Sequence, residues 1–141
     1  MLVHWQFWAV LSATFAAMTA IFAKAGVDQI DPDLATFIRT VIIVVVLAAI
    51  LLATGKFQPL PAIPQQTWLF LLLSGLATGA SWLCYFRALK LGDAARVAPI
   101  DKLSVVLVAV FATIFLGEHL SGPNWLGVVL IAGGAILVAY R

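Results

Sequence analysis

The chain alternates between long apolar stretches and short polar connections that hold most of its Pro and ionisable residues. A bilayer crossing needs roughly 20 mainly apolar residues. Backbone groups in hydrocarbon must be satisfied within the segment, and these apolar runs lack the alternation of a β-barrel strand, so helices are indicated. The pattern therefore predicts five transmembrane helices, over residues 5–23, 34–53, 68–89, 97–116 and 123–140.

The connections between these spans are well marked. Residues 24–33 are polar, residues 54–66 contain three prolines, residues 90–96 are charged, and residues 117–124 end in Gly-Pro-Asn. Aromatic residues fall near the span ends, as expected of side chains anchored at the membrane–water interface. They are Trp5, Trp8, Trp68, Trp125 and Tyr140.

Composition supports a membrane protein. The chain has 141 residues, 64% of them hydrophobic and 10% charged, with a mean hydropathy of +1.11. A soluble domain usually carries about 25% charged residues, and a small one leaves much of its surface exposed. The chain is therefore predicted to be an all-α integral membrane protein, a bundle of five transmembrane helices.

Several functions are disfavoured by the residues present. The net charge is +2, but no basic run is interleaved with aromatic residues, so a nucleic-acid partner is not expected. The single cysteine, Cys84, permits no CxxC site and is interpreted as a packing residue. His4 and His119 lie at span boundaries without metal-ligand spacing. No cofactor, metal or enzymatic activity is predicted.

The basic residues predict an orientation. The side with the N-terminus and residues 54–66 and 117–124 has only Lys56. The opposite side is richer in Lys and Arg, so the positive-inside rule places it in the cytoplasm of a cell (inner or plasma) membrane, with the N-terminus outside and the C-terminus inside. Its basic residues are Lys24, Lys90, Arg96 and Arg141, with Arg39, Arg87 and Lys102 just inside the spans.

Ionisable residues inside the spans are candidates for a gate. Arg39 in the second span and Asp101 in the fourth lie at matching depths, roughly 6–9 Å from the cytoplasmic edge at 1.5 Å per residue. The long side chains of Lys102 and Arg87 can extend to the interface. The short Asp101 side chain cannot and needs a partner; Arg39 is the favoured candidate and Arg87 the second. This pair is either a structural staple or a gate that contacts substrate.

The third span carries small and polar residues at helical spacing. Ser74, Thr78, Ser81 and Tyr85 recur on one face, with Trp82 on the neighbouring face beside Gly75 and Gly79. They either glue helices together or line a substrate cavity. The candidate cavity residues are Ser74, Thr78, Ser81, Trp82 and Tyr85. Pro99 is placed in the first turn of the fourth span, where a missing donor is tolerated.

Nearly the whole chain, taken as a single transmembrane domain over residues 1–141, resembles a known family. The main matching stretch is residues 74–138, and "ATFIRT" (35–40) also matches. The motifs are "YFRAL" (85–89), "VAPI" (97–100), "FLGE" (115–118) and the final Gly-rich helix. They resemble a single EamA-type unit of the drug/metabolite transporter superfamily, in its five-helix bacterial and archaeal subgroup. The resemblance implies one half of an inverted-repeat transporter fold.

Two departures from related sequences affect the expected substrate. "IDKLSVV" (100–106) lacks the proline that many members have after "API". The first span lacks the membrane-embedded glutamate of small multidrug resistance proteins, so proton-coupled export of lipophilic cations is not implied. The basic cytoplasmic half fits anionic or zwitterionic metabolites at least as well.

The hypothesis from sequence is a secondary transporter or exporter of small metabolites or drugs that works by alternating access. Because inverted repeats enclose such a cavity, a homodimer or an oppositely oriented paralogue is the expected partner within the lipid bilayer. The uneven distribution of Lys and Arg leaves a parallel dimer open. The alternative is a non-transporting membrane subunit or a component of a lipid-carrier flippase.

Overall fold

A computed structural model describes residues 5–140, which contain helices and no β-strand. Five helical segments are long and apolar enough to cross a membrane, which confirms the predicted all-α membrane fold. A short 3-10 helix, Leu60–Ala62, follows the second segment. The helices are α1 (Trp5–Val27), α2 (Pro32–Thr54), α3 (Gln65–Leu91), α4 (Ala94–Asp101), α5 (Ser104–Phe115) and α6 (Gly122–Ala139).

Local capping explains the ends of α2. The Asp31 carboxylate accepts hydrogen bonds from the backbone N–H groups of Asp33 (2.9 Å) and Leu34 (3.3 Å). Pro32 occupies the first helical position, where its missing N–H costs nothing. Gly55 ends the helix with a φ of 63°, a left-handed conformation that favours glycine. The helix therefore starts two residues before the predicted span.

Helix α3 extends beyond its predicted span at both ends, over Gln65–Leu91. Its 27 residues correspond to about 40 Å at 1.5 Å per residue, against a hydrocarbon core of about 30 Å. The ends of α3 therefore reach the polar interface. Arg87 and Lys90, near its C-terminal end, can hold their charges there at moderate cost.

The fourth span, Ala94–Phe115, contains a tight turn that divides it into two helical segments. Helix α4 begins at Ala94, three residues before the prediction, so the expectation that Pro99 lies in the first turn was wrong and Pro99 lies inside the helix. Helix α4 ends at Asp101 and α5 starts at Ser104. Between them the N–H of Leu103 donates to the carbonyl of Ile100 at 3.0 Å, an i to i−3 bond that winds the chain more tightly than an α-helix.

The chain divides into two compact units. The first unit comprises the described residues up to Ile21 and those from Leu91 onward, and in it α4 and α5 both pack against α6. The second unit is Phe22–Lys90 and includes α2 and α3. Its fully buried side chains are Val27 and Leu89. Most other large apolar side chains are exposed, as expected of helices that face lipid or a partner.

Candidate functional site

In the second unit, Lys90 joins the end of α3 to the end of α1. Its ammonium donates hydrogen bonds to the backbone carbonyls of Val27 (2.8 Å), Asp28 (2.9 Å) and Ile30 (3.0 Å). The last carbonyls of a helix have no intrahelical donor, and they carry partial negative charge. Lys90 therefore satisfies the carbonyl of the last residue of α1 and two carbonyls of the connection that follows.

Lys24 makes the reciprocal contact. Its ammonium donates to the carbonyl of Leu89 at 2.8 Å, near the end of α3, and lies 3.4 Å from the carboxylate of Asp28. The Lys24 head group is therefore held by a backbone carbonyl as well as by a carboxylate. Each of the two helix ends receives a lysine from the other helix.

Arg87 binds Asp33 in a bidentate ion pair. Its Nε donates to Oδ1 at 3.0 Å and its Nη2 to Oδ2 at 2.7 Å. Both side chains are about half exposed, so the pair is screened by its surroundings and contributes modestly to stability. The sequence analysis missed Asp33. Its signal was the "DPD" start of the second span, which puts a carboxylate in a first turn on the same membrane side as Arg87.

Arg39 has a different environment. Its guanidinium carbon lies 4.2 Å from the ring centroid of Trp82 and 5.6 Å from that of Phe86, one helical turn further along α3. Arg39 is half-buried, and Phe86 is only 3% exposed. Tyr85, next to Phe86 on α3, is half-buried. These distances are within the range of a cation–π contact.

The remaining candidate cavity residues lie along α3. Ser74, Thr78 and Ser81 are exposed, and Trp82 is half-buried. The hydroxyl of Thr78 donates to the carbonyl of Ser74 at 2.8 Å, so it is satisfied within its own helix. The structure thus brings one predicted cavity residue, Trp82, onto a predicted gate residue, Arg39. Whether the stripe lines a cavity remains a prediction.

Asp101 and Lys102 lie in the first unit, where α4 ends. The ammonium of Lys102 is 3.3 Å from the Asp101 carboxylate. Arg87, considered as a second partner for Asp101, has both contacting nitrogens on Asp33. Because Arg39 and Asp101 belong to different units, their pairing remains a prediction. Two residues named in the sequence analysis, His4 and Arg141, lie outside the described residues.

The fold and these charges define a multi-pass integral membrane protein with ionisable side chains within its spans. No cluster of three or more His, Cys, Asp or Glu residues that could hold a metal occurs within the described range. The chain matches the EamA-like transporter family over residues 3–140. It belongs to this family and is a membrane transporter.

Three relatives illustrate the range of similar proteins. The chain is 69% identical over 135 residues to the "Uncharacterized transporter in cobO 3'region" of a Sinorhizobium species, with 96% of each chain covered. It is 28% identical to the riboflavin transporter of Rhizobium johnstonii, covering 92% of this chain and 41% of that protein.

The third relative is the probable 4-amino-4-deoxy-L-arabinose-phosphoundecaprenol flippase subunit ArnE of Pseudomonas fluorescens. It is 32% identical over 85 residues, which cover 58% of this chain and 72% of the subunit. No solved structure matches the chain at a significant level.

Proposed function

We propose that this protein is a secondary transporter of small molecules that works by alternating access. The transporting assembly contains two five-span bundles, each formed by one whole chain. The observation that carries the proposal is the break in the fourth span, where α4 ends at Asp101 and α5 begins at Ser104. A stretch of 3-10 winding inside an α-helix often marks a functional hinge, and ionisable residues within a membrane span are candidates for function. Here the break bears a carboxylate and an ammonium.

The gate in this proposal is the ion pair of Asp101 with Arg39. Lys102, next to Asp101, can reach the interface because of its long side chain, and the short carboxylate needs an inward partner. Pro99 and the tighter turn after it make this region a candidate hinge. The gate closes when the two charges meet and opens when they separate.

Two five-span bundles, related to each other by inversion in the membrane, would enclose the transport cavity. The riboflavin transporter of Rhizobium johnstonii is more than twice as long as the region that aligns with this chain, since the alignment covers 41% of it. This length supports an assembly of two such units, either two copies of this chain or one copy with an oppositely oriented paralogue. The α3 residues Ser74, Thr78, Ser81, Trp82 and Tyr85 would line its midplane.

The transport activity is tested with purified protein reconstituted into liposomes. Uptake is measured for amino acids, nucleosides, organic cations and sugar phosphates, and the class that accumulates identifies the substrate. Asp101→Asn is expected to reduce this uptake strongly. The matched control is Asp93→Asn, which removes a carboxylate that precedes the span and makes no side-chain cap. Equal loss in both variants would contradict a special role for Asp101.

A charge exchange tests the gate. Arg39→Asp combined with Asp101→Arg keeps opposite charges at the two positions but reverses them. A gate predicts that folding recovers relative to either single variant while uptake stays low. If uptake and folding both recover fully, the pair is a structural staple.

The assembly is tested by the accessibility of tags at both termini in intact cells. Antiparallel homodimers require that each terminus is found on both sides of the membrane. A single orientation, with the N-terminus outside and no expressed paralogue, would exclude the antiparallel arrangement and leave the parallel dimer.

A second candidate is a component of a lipid-carrier flippase. It is favoured by the 32% identity with the ArnE subunit. In this case, liposomes containing the protein should move a polyprenyl-phosphate-linked sugar between leaflets and take up none of the soluble substrate classes. Uptake of a soluble class would favour the secondary transporter.

A further inference from the structure

Arg39 differs from the other cations in the helices of the second unit. Lys24, Arg87 and Lys90 each contact carboxylate or carbonyl oxygens. Among the described residues of that unit, no carboxylate lies within ion-pair distance of Arg39, whose ring contacts are with Trp82 and Phe86. A guanidinium within a membrane span is costly unless its charge is met, so Arg39 needs another negative group whenever the proposed gate with Asp101 is open.

The aromatic contacts hold the guanidinium without using up its hydrogen-bonding capacity. An aromatic ring attracts the cation through its quadrupole but offers no oxygen lone pair. A guanidinium has five N–H donors in a fixed fork, and this fork matches the two oxygens of a carboxylate or phosphate. Because Phe86 is buried and Trp82 half-buried, the platform under Arg39 is held in place by packing.

We propose that Arg39, supported by Trp82 and Phe86, is the binding site for the oxyanion group of the transported molecule, a carboxylate or a phosphate. This inference rests on the proposed transport function and names the chemical class of its substrate. A half-buried charge of this kind acts more strongly than one in water. The site therefore selects anionic solutes over neutral or cationic solutes of the same shape.

Binding is tested on the full chain in detergent with three probes that share a ring and differ in charge. These probes are benzoate, benzamide and benzylamine, with inorganic phosphate as a second anion, and calorimetry measures each affinity. Benzoate and phosphate are expected to bind with dissociation constants in the millimolar range. Benzamide and benzylamine are expected to show no binding in this range. Equal affinity for all three ring probes, or no binding of either anion, overturns the proposal.

Variants at the site separate its charge from its geometry. Arg39→Gln should weaken benzoate binding by about tenfold or more, because a hydrogen-bonded charge is lost. The benzoate affinity of Arg39→Lys should lie between those of the native protein and Arg39→Gln, since an ammonium keeps the charge without the planar fork. Trp82→Leu should weaken binding by a few-fold through loss of the platform. If Arg39→Gln does not fold, the other two variants still test the site.

The control for net charge is Lys56→Gln. Lys56 lies in the connection after α2 and is exposed, so this variant removes one positive charge from the same unit. Benzoate affinity should remain unchanged. An equal loss in Lys56→Gln and Arg39→Gln would mean that the anion responds to overall charge, and it would overturn the assignment to Arg39.

The oxyanion could come from a soluble solute or from a lipid headgroup, and vesicles distinguish these sources. The protein is reconstituted in phosphatidylcholine alone and in phosphatidylcholine with phosphatidylglycerol. If the anionic lipid suppresses Arg39-dependent benzoate binding, the site takes lipid phosphate; if it does not, the site takes soluble anions. Benzoate binding that is insensitive to Arg39→Gln in both vesicles overturns the proposal.

Uptake assays separate this inference from the transport function on which it rests. Uptake of organic cations that is unaffected by Arg39→Gln would overturn the oxyanion site and leave transport intact. Anion binding through Arg39 without uptake of any substrate class would support the site and overturn the transport proposal.

Discussion

Asp31 and Asp33 lie two positions apart at the start of α2, yet their carboxylates have different tasks. Asp31 caps the helix through the N–H groups of Asp33 and Leu34, whereas Asp33 binds Arg87 on α3. The cap is a local property of the "DPD" sequence. The ion pair needs a second helix, so it becomes visible only when α2 and α3 are packed together.

The Asp33–Arg87 pair predicts non-additive effects on stability. Asp33→Asn and Arg87→Gln should each lower the midpoint of thermal unfolding in detergent, and the double variant should lower it no further than the more damaging single change. The measurement is a double-mutant cycle. Independent, additive losses would mean that the two side chains do not stabilise each other.

Replacing Lys90 should lower the free energy of unfolding more than is usual for an exposed lysine. Replacing it with Met removes one part-buried hydrogen bond to the last residue of α1, Val27, and two exposed ones to the connection that follows. The loss should cost about 1 kcal/mol of unfolding free energy, mainly because the Val27 carbonyl is left without its donor. Lys90→Arg retains donors and should lose less.

Lys56→Met is the matched control for Lys90→Met, because it removes a lysine that makes no such contacts. Chemical unfolding in mixed micelles provides the comparison. Equal destabilisation by the two Met variants would show that the carbonyl contacts of Lys90 are not important for stability.

At the scale of elements, the fourth span contains the main difference from expectation. Pro99 cannot donate to the carbonyl one turn before it, and the tighter turn at Leu103 follows within the next four residues. Apolar residues lie on both sides of the Asp101–Lys102 pair, so the hydropathy of the span as a whole does not reveal the turn. The turn places Asp101 at the end of a helix and not within one.

Pro99→Ala should restore a backbone donor in the middle of α4. We expect the free energy of unfolding to rise by up to about 3 kcal/mol, because proline is costly inside a helix. If the break is a hinge, uptake in liposomes should fall in the same variant. Pro123→Ala is the control, since Pro123 lies near the start of α6, where proline is tolerated. Unchanged uptake in Pro99→Ala would argue against a hinge at this position.

At the scale of the whole molecule, charge distribution predicts the orientation in the membrane. On the side predicted to face away from the cytoplasm, Lys56 is the only Lys or Arg in residues 54–66 and 117–124. Adding lysine at Gln65, Gln66 and Asn124 should shift part of the population to the inverted orientation. The measure is the accessibility of terminal tags in intact cells.

Glutamate at the same three positions is the control for this change, because acidic residues contribute little to orientation. Tags that keep a single orientation in the lysine variant would show that another feature determines the topology.

The existence and composition of the five spans follow from the chain alone, because long apolar segments and their polar connections are local properties. Capping chemistry also explains the start of α2 at Asp31 and Pro32. The exact ends of α3 and the interruption after Asp101 were not predicted, since apolar composition does not distinguish a continuous helix from one with a tight turn.

The candidate site depended on tertiary structure to a greater degree. The sequence identified Arg39 and Trp82 separately, one as a gate residue and one as a cavity wall. Their separation of 4.2 Å depends on how α2 and α3 are rotated about their own axes, and helical spacing within either span leaves this rotation free. Sequence therefore determined which charges enter the membrane, and packing of the second unit determined that Arg39 meets an aromatic platform.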